Sequence, residues 1–245
     1  LRDGNKISTR PLADYTLETL IADIMGKATR DMSDLIADSA ATTDVVLKLR
    51  GVGVEGRPGS VDLDLHAGEV LGLAGLMGAG RSRIARTLFG LQPGVVGEIE
   101  INGAAVTIRS PSDAMAQGIA LVPEDRRRQG LVLEHSVEDN IALPVLGAVS
   151  GRIMVHGKRR ARLADETIAK MSIKTDSRKS PANALSGGNQ QKIVIGKWLA
   201  ALPEILIMDE PTAGIDIGSK TEIIQLVRAL AEAGKSVIFI SSELA

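Results

Sequence analysis

A glycine-rich stretch from Gly75 to Ser82 has the spacing of a loop that cradles phosphate groups. Gly75, Gly78 and Gly80 would let the backbone approach a polyphosphate closely and offer it several amide N–H donors. An apolar run precedes the stretch and a helical pattern follows it, so the positive end of a helix would face the phosphates. Ser82 would then offer its hydroxyl to Mg²⁺. The alternative is a glycine-rich turn between a strand and a helix that binds no ligand.

Arg81 occupies the position at which such a loop has lysine. Arginine keeps the positive charge, but its planar fork is bulkier than an ammonium group and cannot act as a compact point charge between the β- and γ-phosphates. Arg81 therefore indicates retained anion binding with altered or impaired catalysis. Ala79 and Arg83 complete the candidate nucleotide-binding residues of this loop.

Two carboxylates at the end of the run ILIMDE could bind a metal ion and activate water. Asp209 and Glu210 would lie at the carboxyl end of a strand, where α/β sheets bind ligands. Asp209 would hold Mg²⁺ through its water shell, and Glu210 would polarise an attacking water. Alone, this pair could be a solvated strand end. Together with the loop far upstream, it predicts a nucleoside triphosphatase.

A third stretch, LSGGNQQK, places a serine and two glycines at the start of a helix. Ser186, Gly187, Gly188 and Asn189 would form a second anion-binding surface. Because one domain does not need two phosphate cradles, this surface favours two domains that face each other head to tail and close each other's nucleotide. The alternative is a capped helix with a flexible lead-in.

Strands that alternate with helices would position these residues. The apolar runs VLGLAG, GIALV, EILIMDE and SVIFIS predict strands buried in a sheet, and residues 186–201 and 217–233 have helical patterns. This alternation favours an α/β domain with a mainly parallel sheet that begins near Val45. Ser110 and Ser136 have the positions of N-terminal helix caps.

The composition excludes several classes of function. A net charge of -1 over 245 residues gives no general electrostatic reason for nucleic-acid binding. The chain has no cysteine, which excludes disulfides and thiolate metal sites. Its three histidines, His66, His135 and His156, share no ligand spacing. No apolar run approaches the ~18 residues of a membrane span.

The three motifs, in this order, resemble those of the nucleotide-binding domain of ABC transporters. GLMGAGRS, VPEDRRRQGLV and LSGGNQQK together resemble a narrower group: the second half of the ATP-binding subunit of bacterial monosaccharide importers of the ribose, galactose, xylose or arabinose type. The resemblance implies an α/β P-loop NTPase fold with a mainly parallel central sheet, an antiparallel β subdomain and a helical signature subdomain at about residues 129–200. It also implies that residues 1–28 are the tail of a preceding nucleotide-binding domain, 29–44 a linker, and 45–245 a second, C-terminally truncated domain.

The resemblance also implies roles for individual residues. Residues of the phosphate loop would bind ATP, Ser82 and Asp209 would hold Mg²⁺, and Glu210 would be catalytic. The signature segment, Ser186–Asn189, would contact the γ-phosphate that the other half holds. Asp216 would belong to the loop that crosses the interface between the halves.

This chain departs from the family's pattern at the catalytic positions. Besides Arg81, Glu124 stands where a glutamine senses the γ-phosphate, and Ser242 stands where a histidine follows the last strand. Between Val45 and Gly68, ahead of the loop, no aromatic residue is present to stack on adenine. An extra carboxylate near a γ-phosphate is unfavourable unless Mg²⁺ or arginine neutralises it. Residues 126–128, all arginine, could do so, or could form a solvated basic turn. These changes predict a degenerate site on this chain's own loop beside an intact signature segment that serves the partner site.

The implied function is ATP hydrolysis that energises sugar import at the cytoplasmic face of the bacterial inner membrane. The implied partners are the first nucleotide-binding half, the permease subunits and, indirectly, a periplasmic sugar-binding protein, with no nucleic acid. Val137, Ile141 and Leu143 could dock a permease helix or belong to the core. The alternatives are a regulatory half that holds nucleotide without hydrolysing it, and an ABC ATPase that does not act in transport.

Overall fold

The computed structural model describes residues 6–9, 11–14, 16, 19, 23, 41–75, 78–150 and 155–242. In the N-terminal part it contains a 3-10 turn at Leu12–Asp14. Most of the expected tail at 1–28 and of the linker at 29–44 lies outside the described residues. The division into tail, linker and second domain therefore stays a prediction.

Strands account for two sheets within the described residues. They are β1 (Val45–Val54), β2 (Ser60–His66), β3 (Val70–Ala74), β4 (Val95–Ile101), β5 (Ala104–Val106), β6 (Ile119–Val122), β7 (Ile205–Asp209) and β8 (Ser236–Ser241). The first sheet has the order β2-β1-β4-β5 and is antiparallel. The second has the order β3-β8-β7-β6 and is parallel. The prediction of a parallel sheet beside an antiparallel β subdomain is confirmed.

Helices connect the strands of the parallel sheet. They are α1 (Arg81–Leu88), α2 (Pro111–Ala116), α3 (Val137–Ala142), α4 (Leu146–Val149), α5 (Gly157–Lys170), α6 (Gly187–Leu199) and α7 (Ile217–Glu232). A π-helical turn covers Arg126–Gly130, and 3-10 turns cover Leu143–Val145 and Ala182–Ala184. Ser110 and Ser136 cap α2 and α3 as expected, because each hydroxyl accepts a hydrogen bond from the backbone three residues later.

The parallel sheet is covered on both faces. Ile205 and Ile207 of β7 pack into a cluster with β1, β4 and α1, whereas Leu206 and Met208 pack into a second cluster with α3, α5, α6 and α7. Alternate residues of a strand point to opposite faces, which explains why the whole run of β7 is apolar. The sheet therefore lies between the antiparallel sheet with α1 on one side and a helical layer on the other.

β3 is less buried than the sequence predicts, since its apolar run indicates a strand that is buried on both faces of the sheet. Among the described residues it pairs with β8 alone, and every residue of β3 is exposed or only partly buried. Its position at the edge of the described sheet explains this difference. Val137 and Ile141 are fully buried in the helical cluster, whereas Leu143 is 37% exposed, so the first two belong to the core. Within the described part of the chain, no helix combines the length and apolar character needed to cross a bilayer.

Candidate nucleotide site

The carboxyl ends of the four parallel strands bring the candidate catalytic residues to one edge of the sheet. β3 leads into Gly75, β8 into Ser242, β7 into Glu210, and β6 ends two residues before Glu124. The register places the strand ends side by side, with Ala74 opposite Ser241, Asp209 opposite Ile240 and Val122 opposite Met208. The edge predicted from the apolar runs therefore carries all four candidate positions that follow these strands.

Ser82 and Asp209 are in direct contact at this edge. Ser82 lies in the first turn of α1, and its Oγ donates a hydrogen bond of 3.1 Å to Oδ1 of Asp209. Burial raises the pKa of the Asp209 carboxyl, and the Ser82 hydrogen bond opposes this shift. The charges of Glu124 and Glu210 raise this pKa further, whereas Arg86 lowers it. A buried carboxylate with two acidic neighbours favours a bound cation.

The donor set at this contact fits Mg²⁺. A hydroxyl and a carboxylate oxygen are hard oxygen ligands, and Mg²⁺ commonly takes one or two protein ligands and completes its octahedron with waters and phosphate oxygens. Ser82 and Asp209 would hold the ion. When bound, the ion would neutralise charge on the phosphates.

Arg81 lies against the second carboxylate. Its Nη1 is 3.4 Å from Oε1 of Glu210, and the two side chains are only 11% and 13% exposed. Glu210 has a φ of 45°, the left-handed region that is costly for a residue with a side chain. Its backbone N–H donates to the carbonyl of Ile240 at 3.0 Å, which extends the pairing of β7 with β8. The site therefore holds a nearly buried ion pair next to a strained backbone position.

The glycines of the loop allow its tight path into α1. Gly78 and Gly80 have φ angles of 86° and 92°, and Gly80 caps α1. A Cβ at Gly80 would lie 2.9 Å from Nη2 of Arg83, so the guanidinium of Arg83 would have to move. Arg83 itself donates to the carbonyl of Pro58 at 3.1 Å, so its guanidinium lies beside the turn between β1 and β2. Ala79 lies within the loop, where its Cβ faces Gly75.

The signature segment begins α6. The hydroxyl of Ser186 caps the helix and accepts a hydrogen bond of 2.9 Å from Nδ2 of Asn189. Oδ1 of Asn189 accepts from the backbone N–H of Lys174 at 2.8 Å, which fixes the segment to the preceding loop. Ser186 thus caps the helix that the pattern of residues 186–201 predicts.

Gly188 packs against the start of α7. A Cβ at this position would lie 2.0 Å from Oγ of Ser219 and 3.4 Å from Oδ2 of Asp216. Asp216 caps α7 by accepting from the backbone N–H of Ser219 at 2.9 Å and from its hydroxyl at 2.7 Å. These hydrogen bonds lower the pKa of the Asp216 carboxyl. Packing within the chain is thus a sufficient reason for glycine at position 188.

The sequence profile of the ABC transporter family matches residues 59–213, which include the phosphate loop, the signature segment and both carboxylates. The chain belongs to this family. It is 44% identical over 246 residues to a ribose import ATP-binding protein of Streptomyces avermitilis and 39% identical over 245 residues to one of Halalkalibacterium halodurans. Each alignment covers 100% of this chain and 48% of the relative, so the chain spans about half the length of these curated relatives.

Solved ABC cassettes share the fold. A dimeric ATP-binding cassette bound to ADP and Pi matches 81% of this chain and 88% of its own length, with a TM-score of 0.68 and 24% identity. A nucleotide-free ATP-binding cassette from an ABC transporter matches 82% of each chain, with a TM-score of 0.69 and 20% identity. At these identities the likeness concerns the fold alone, which is that of a P-loop NTPase.

Two arginines of this ABC domain have interactions that we did not predict from the sequence. Arg86 acts on the charge of Asp209, and its spacing of four residues from Ser82 on α1 is the signal that could have indicated this. Arg126 has partners that neither alternative for residues 126–128 included. Its Nη1 and Nη2 donate to the carbonyls of Ala213 and Gly214 at 2.9 and 3.0 Å. No spacing in the sequence relates these residues.

Proposed function

We propose that this chain is the second nucleotide-binding half of the ATP-binding subunit of a bacterial sugar importer. It would bind Mg²⁺ and ATP and act with a first half and membrane permease subunits at the cytoplasmic face of the inner membrane. A periplasmic sugar-binding protein would be an indirect partner. The hydrogen bond between Ser82 and Asp209 carries the proposal, because it joins the phosphate loop to the magnesium-binding carboxylate. The relatives named as ribose import ATP-binding proteins support sugar as the cargo.

In this proposal the residues at the carboxyl ends of the strands have separate roles in binding and catalysis. The loop amides and the start of α1 bind the phosphates, and Ser82 and Asp209 hold Mg²⁺. Glu210 orients the attacking water and accepts its proton. The signature segment would complete the nucleotide site of the first half, where backbone amides at the start of α6 stabilise charge on the γ-phosphate.

The Arg81–Glu210 ion pair supports a slow site on this chain's own loop. A carboxylate held by the guanidinium of Arg81 is less available to hydrogen-bond an attacking water. Glu124 and Ser242 stand where the family has a glutamine and a histidine, which also supports slow turnover at this site. We therefore expect the chain alone to bind Mg-ATP weakly and to hydrolyse it slowly.

The deciding experiment measures ATP hydrolysis by this chain with and without the first half. We expect little activity from the chain alone and Mg²⁺-dependent activity from the combination. Glu210→Gln is compared with Glu204→Gln, whose carboxylate precedes β7 and pairs with Lys235 at the opposite edge of the sheet. Rapid Mg²⁺-dependent hydrolysis by the chain alone, abolished by Glu210→Gln but not by Glu204→Gln, would contradict a degenerate own site.

The proposed permease contact is an apolar cavity of about 290 Å³ between α4 and the start of β6. Its lining includes Ile119, Pro144, Val145, Trp198 and Pro203. Two side chains next to this lining in the sequence, Leu146 and Leu202, are 41% and 77% exposed, so the cavity mouth is flanked by apolar surface. We infer that a short helix of the permease packs here, since an import ATPase must transmit its conformational change to a membrane partner.

Fluorescence offers a direct test of this contact, because Trp198 is the only tryptophan of the chain. Binding of permease should change the emission of Trp198, and Leu202→Glu should weaken association without changing nucleotide binding. Leu91→Glu is the control, since Leu91 is 50% exposed and does not line the cavity. Equal loss of association in both variants would argue against this location.

A further inference from the structure

One side chain, Arg126, contacts two segments that lie far apart in the sequence. Its guanidinium donates two hydrogen bonds to the loop that follows Glu210, at the carbonyls of Ala213 (2.9 Å) and Gly214 (3.0 Å). The same group lies against the signature segment, because a Cβ at Gly187 would be only 2.8 Å from Nη2 of Arg126. Arg126 thus fills the space between the 213–214 loop and the start of α6.

The turn that carries Arg126 is fixed to α6 at its other end as well. The carbonyl of Gly130, the last residue of the π-helical turn, accepts a hydrogen bond from the buried ammonium group of Lys197. Gly130 also approaches α6 closely, since a Cβ there would lie 2.9 Å from Cγ2 of Val194. The turn Arg126–Gly130 therefore contacts the first part of α6 through Arg126 and is hydrogen-bonded to its last part through Gly130.

We propose that Arg126 is a positioning residue that holds the signature segment and the 213–214 loop in one fixed arrangement. This proposal rests on the proposed function, in which both segments face the nucleotide of the partner half. An arginine suits the role because its planar fork can donate to two carbonyls at once, whereas the ammonium group of lysine is a point charge. Arg126 also explains glycine at position 187, where any side chain would displace the guanidinium.

If Arg126 positions these two segments, its replacement should lower the turnover rate and leave nucleotide affinity nearly unchanged. The hydrogen bonds of Arg126 run to backbone carbonyls of Ala213 and Gly214, and the phosphate loop keeps its own scaffold of α1 and β3. A displaced signature segment would misplace the groups that meet the γ-phosphate, and errors of about 1 Å in such groups can lower rates about 100-fold.

The first test is steady-state ATP hydrolysis by the complete two-half protein with its permease. We expect Arg126→Ala to lower kcat by about 10- to 100-fold with KM changed less than about twofold. Arg126→Lys should restore only part of the activity. Arg162→Ala is the matched control, because Arg162 on α5 is 82% exposed and pairs with Glu166 in its own helix. A kcat of Arg126→Ala within about twofold of the unchanged protein would overturn the proposal.

The second test asks whether Gly187 and Arg126 act on each other. Gly187→Ala should lower Tm and kcat in the unchanged background, and it should do so much less in the Arg126→Ala background, where the added methyl group has room. Additive effects of the two substitutions on Tm would contradict a direct contact between Gly187 and Arg126. If Arg126→Ala does not fold, Arg126→Gln takes its place in both tests.

The two tests separate this inference from the proposed function. An unchanged protein that does not hydrolyse ATP would refute the proposed function and, with it, the catalytic consequence of Arg126. The unfolding measurements need no ATP, so they judge the contact between Gly187 and Arg126 in either case. Turnover by the unchanged protein together with a normal kcat in Arg126→Ala would refute the inference alone.

Discussion

Nη1 of Arg81 lies 3.4 Å from Oε1 of Glu210, which pairs the cation of the phosphate loop with the carboxylate proposed to activate water. The phosphates of a nucleotide and the carboxylate of Glu210 would compete for the same guanidinium. Because of this competition, the negative charge of Glu210 should lower the affinity of the loop for nucleotide.

We predict that Glu210→Gln strengthens Mg-ATP binding to this chain by about three- to tenfold, or up to about 1.4 kcal/mol, because it removes the competing negative charge. Arg81→Ala should weaken binding by a similar factor. Isothermal titration calorimetry with Mg-ATP measures both effects, with Glu204→Gln as the control. Weaker binding to Glu210→Gln would contradict competition for Arg81.

The location of the candidate site at the carboxyl ends of the parallel strands could be predicted from the sequence, because it depends on short stretches of residues. Four apolar runs identify the strands, and a parallel arrangement brings whatever follows them, here Gly75, Glu124, Glu210 and Ser242, to one side. The serine caps of α2 and α3 were predictable for the same reason, since a cap depends on residues three positions apart.

The contacts of Arg126 and of Gly188 were not predictable in this way. Arg126 meets carbonyls 87 and 88 residues away, and Gly188 meets the side chain of Ser219 on another helix. Such contacts depend on how α6 and α7 pack on the sheet, and no periodicity of the sequence encodes that packing. The exposure of β3 has the same origin, since an apolar strand pattern does not reveal which strand lies at an edge.

The cap of α7 gives a prediction for stability against pH. The pKa of the Asp216 carboxyl is lowered by its hydrogen bonds to Ser219, from an ordinary value of 3.8. Its stabilisation is therefore fully present above that value and is lost as the pH falls through the lower folded pKa. Asp216→Ala should cost about 1 kcal/mol at pH 7, and Asp216→Asn much less, because asparagine is also a good cap. Urea unfolding at pH 7 and pH 3 measures this, and an equal cost of Asp216→Ala at both values would contradict it.

Lys197 predicts a pH dependence of the same sign in the alkaline range. Burial on α6 lowers the pKa of its ammonium group from 10.5 to about 8. Between these values the folded chain binds fewer protons than the unfolded chain, so the free energy of unfolding should rise with pH, by at most about 3 kcal/mol. Lys197→Met should remove this rise, whereas Lys158→Met, at an exposed position on α5, should keep it. Chemical unfolding at pH 7.5 and pH 10 measures this rise. An equal rise of the free energy of unfolding in the unchanged chain and in Lys197→Met would contradict the prediction.

The final prediction concerns which nucleotide site performs the work in the assembled importer. Gly188→Asp places a side chain where a Cβ would already lie 2.0 Å from Oγ of Ser219, and it adds a negative charge beside the proposed γ-phosphate contact. We expect it to abolish sugar uptake and to lower ATP hydrolysis by at least about 10²–10³-fold. Arg81→Ala should reduce both much less, because the site that Arg81 serves already lacks the family's lysine and histidine. ATPase rates of both variants in the reconstituted complex, normalised to the folded fraction from thermal unfolding, measure the difference. If Arg81→Ala is the more damaging change, the signature segment does not serve the working site and the roles of the two sites must be exchanged.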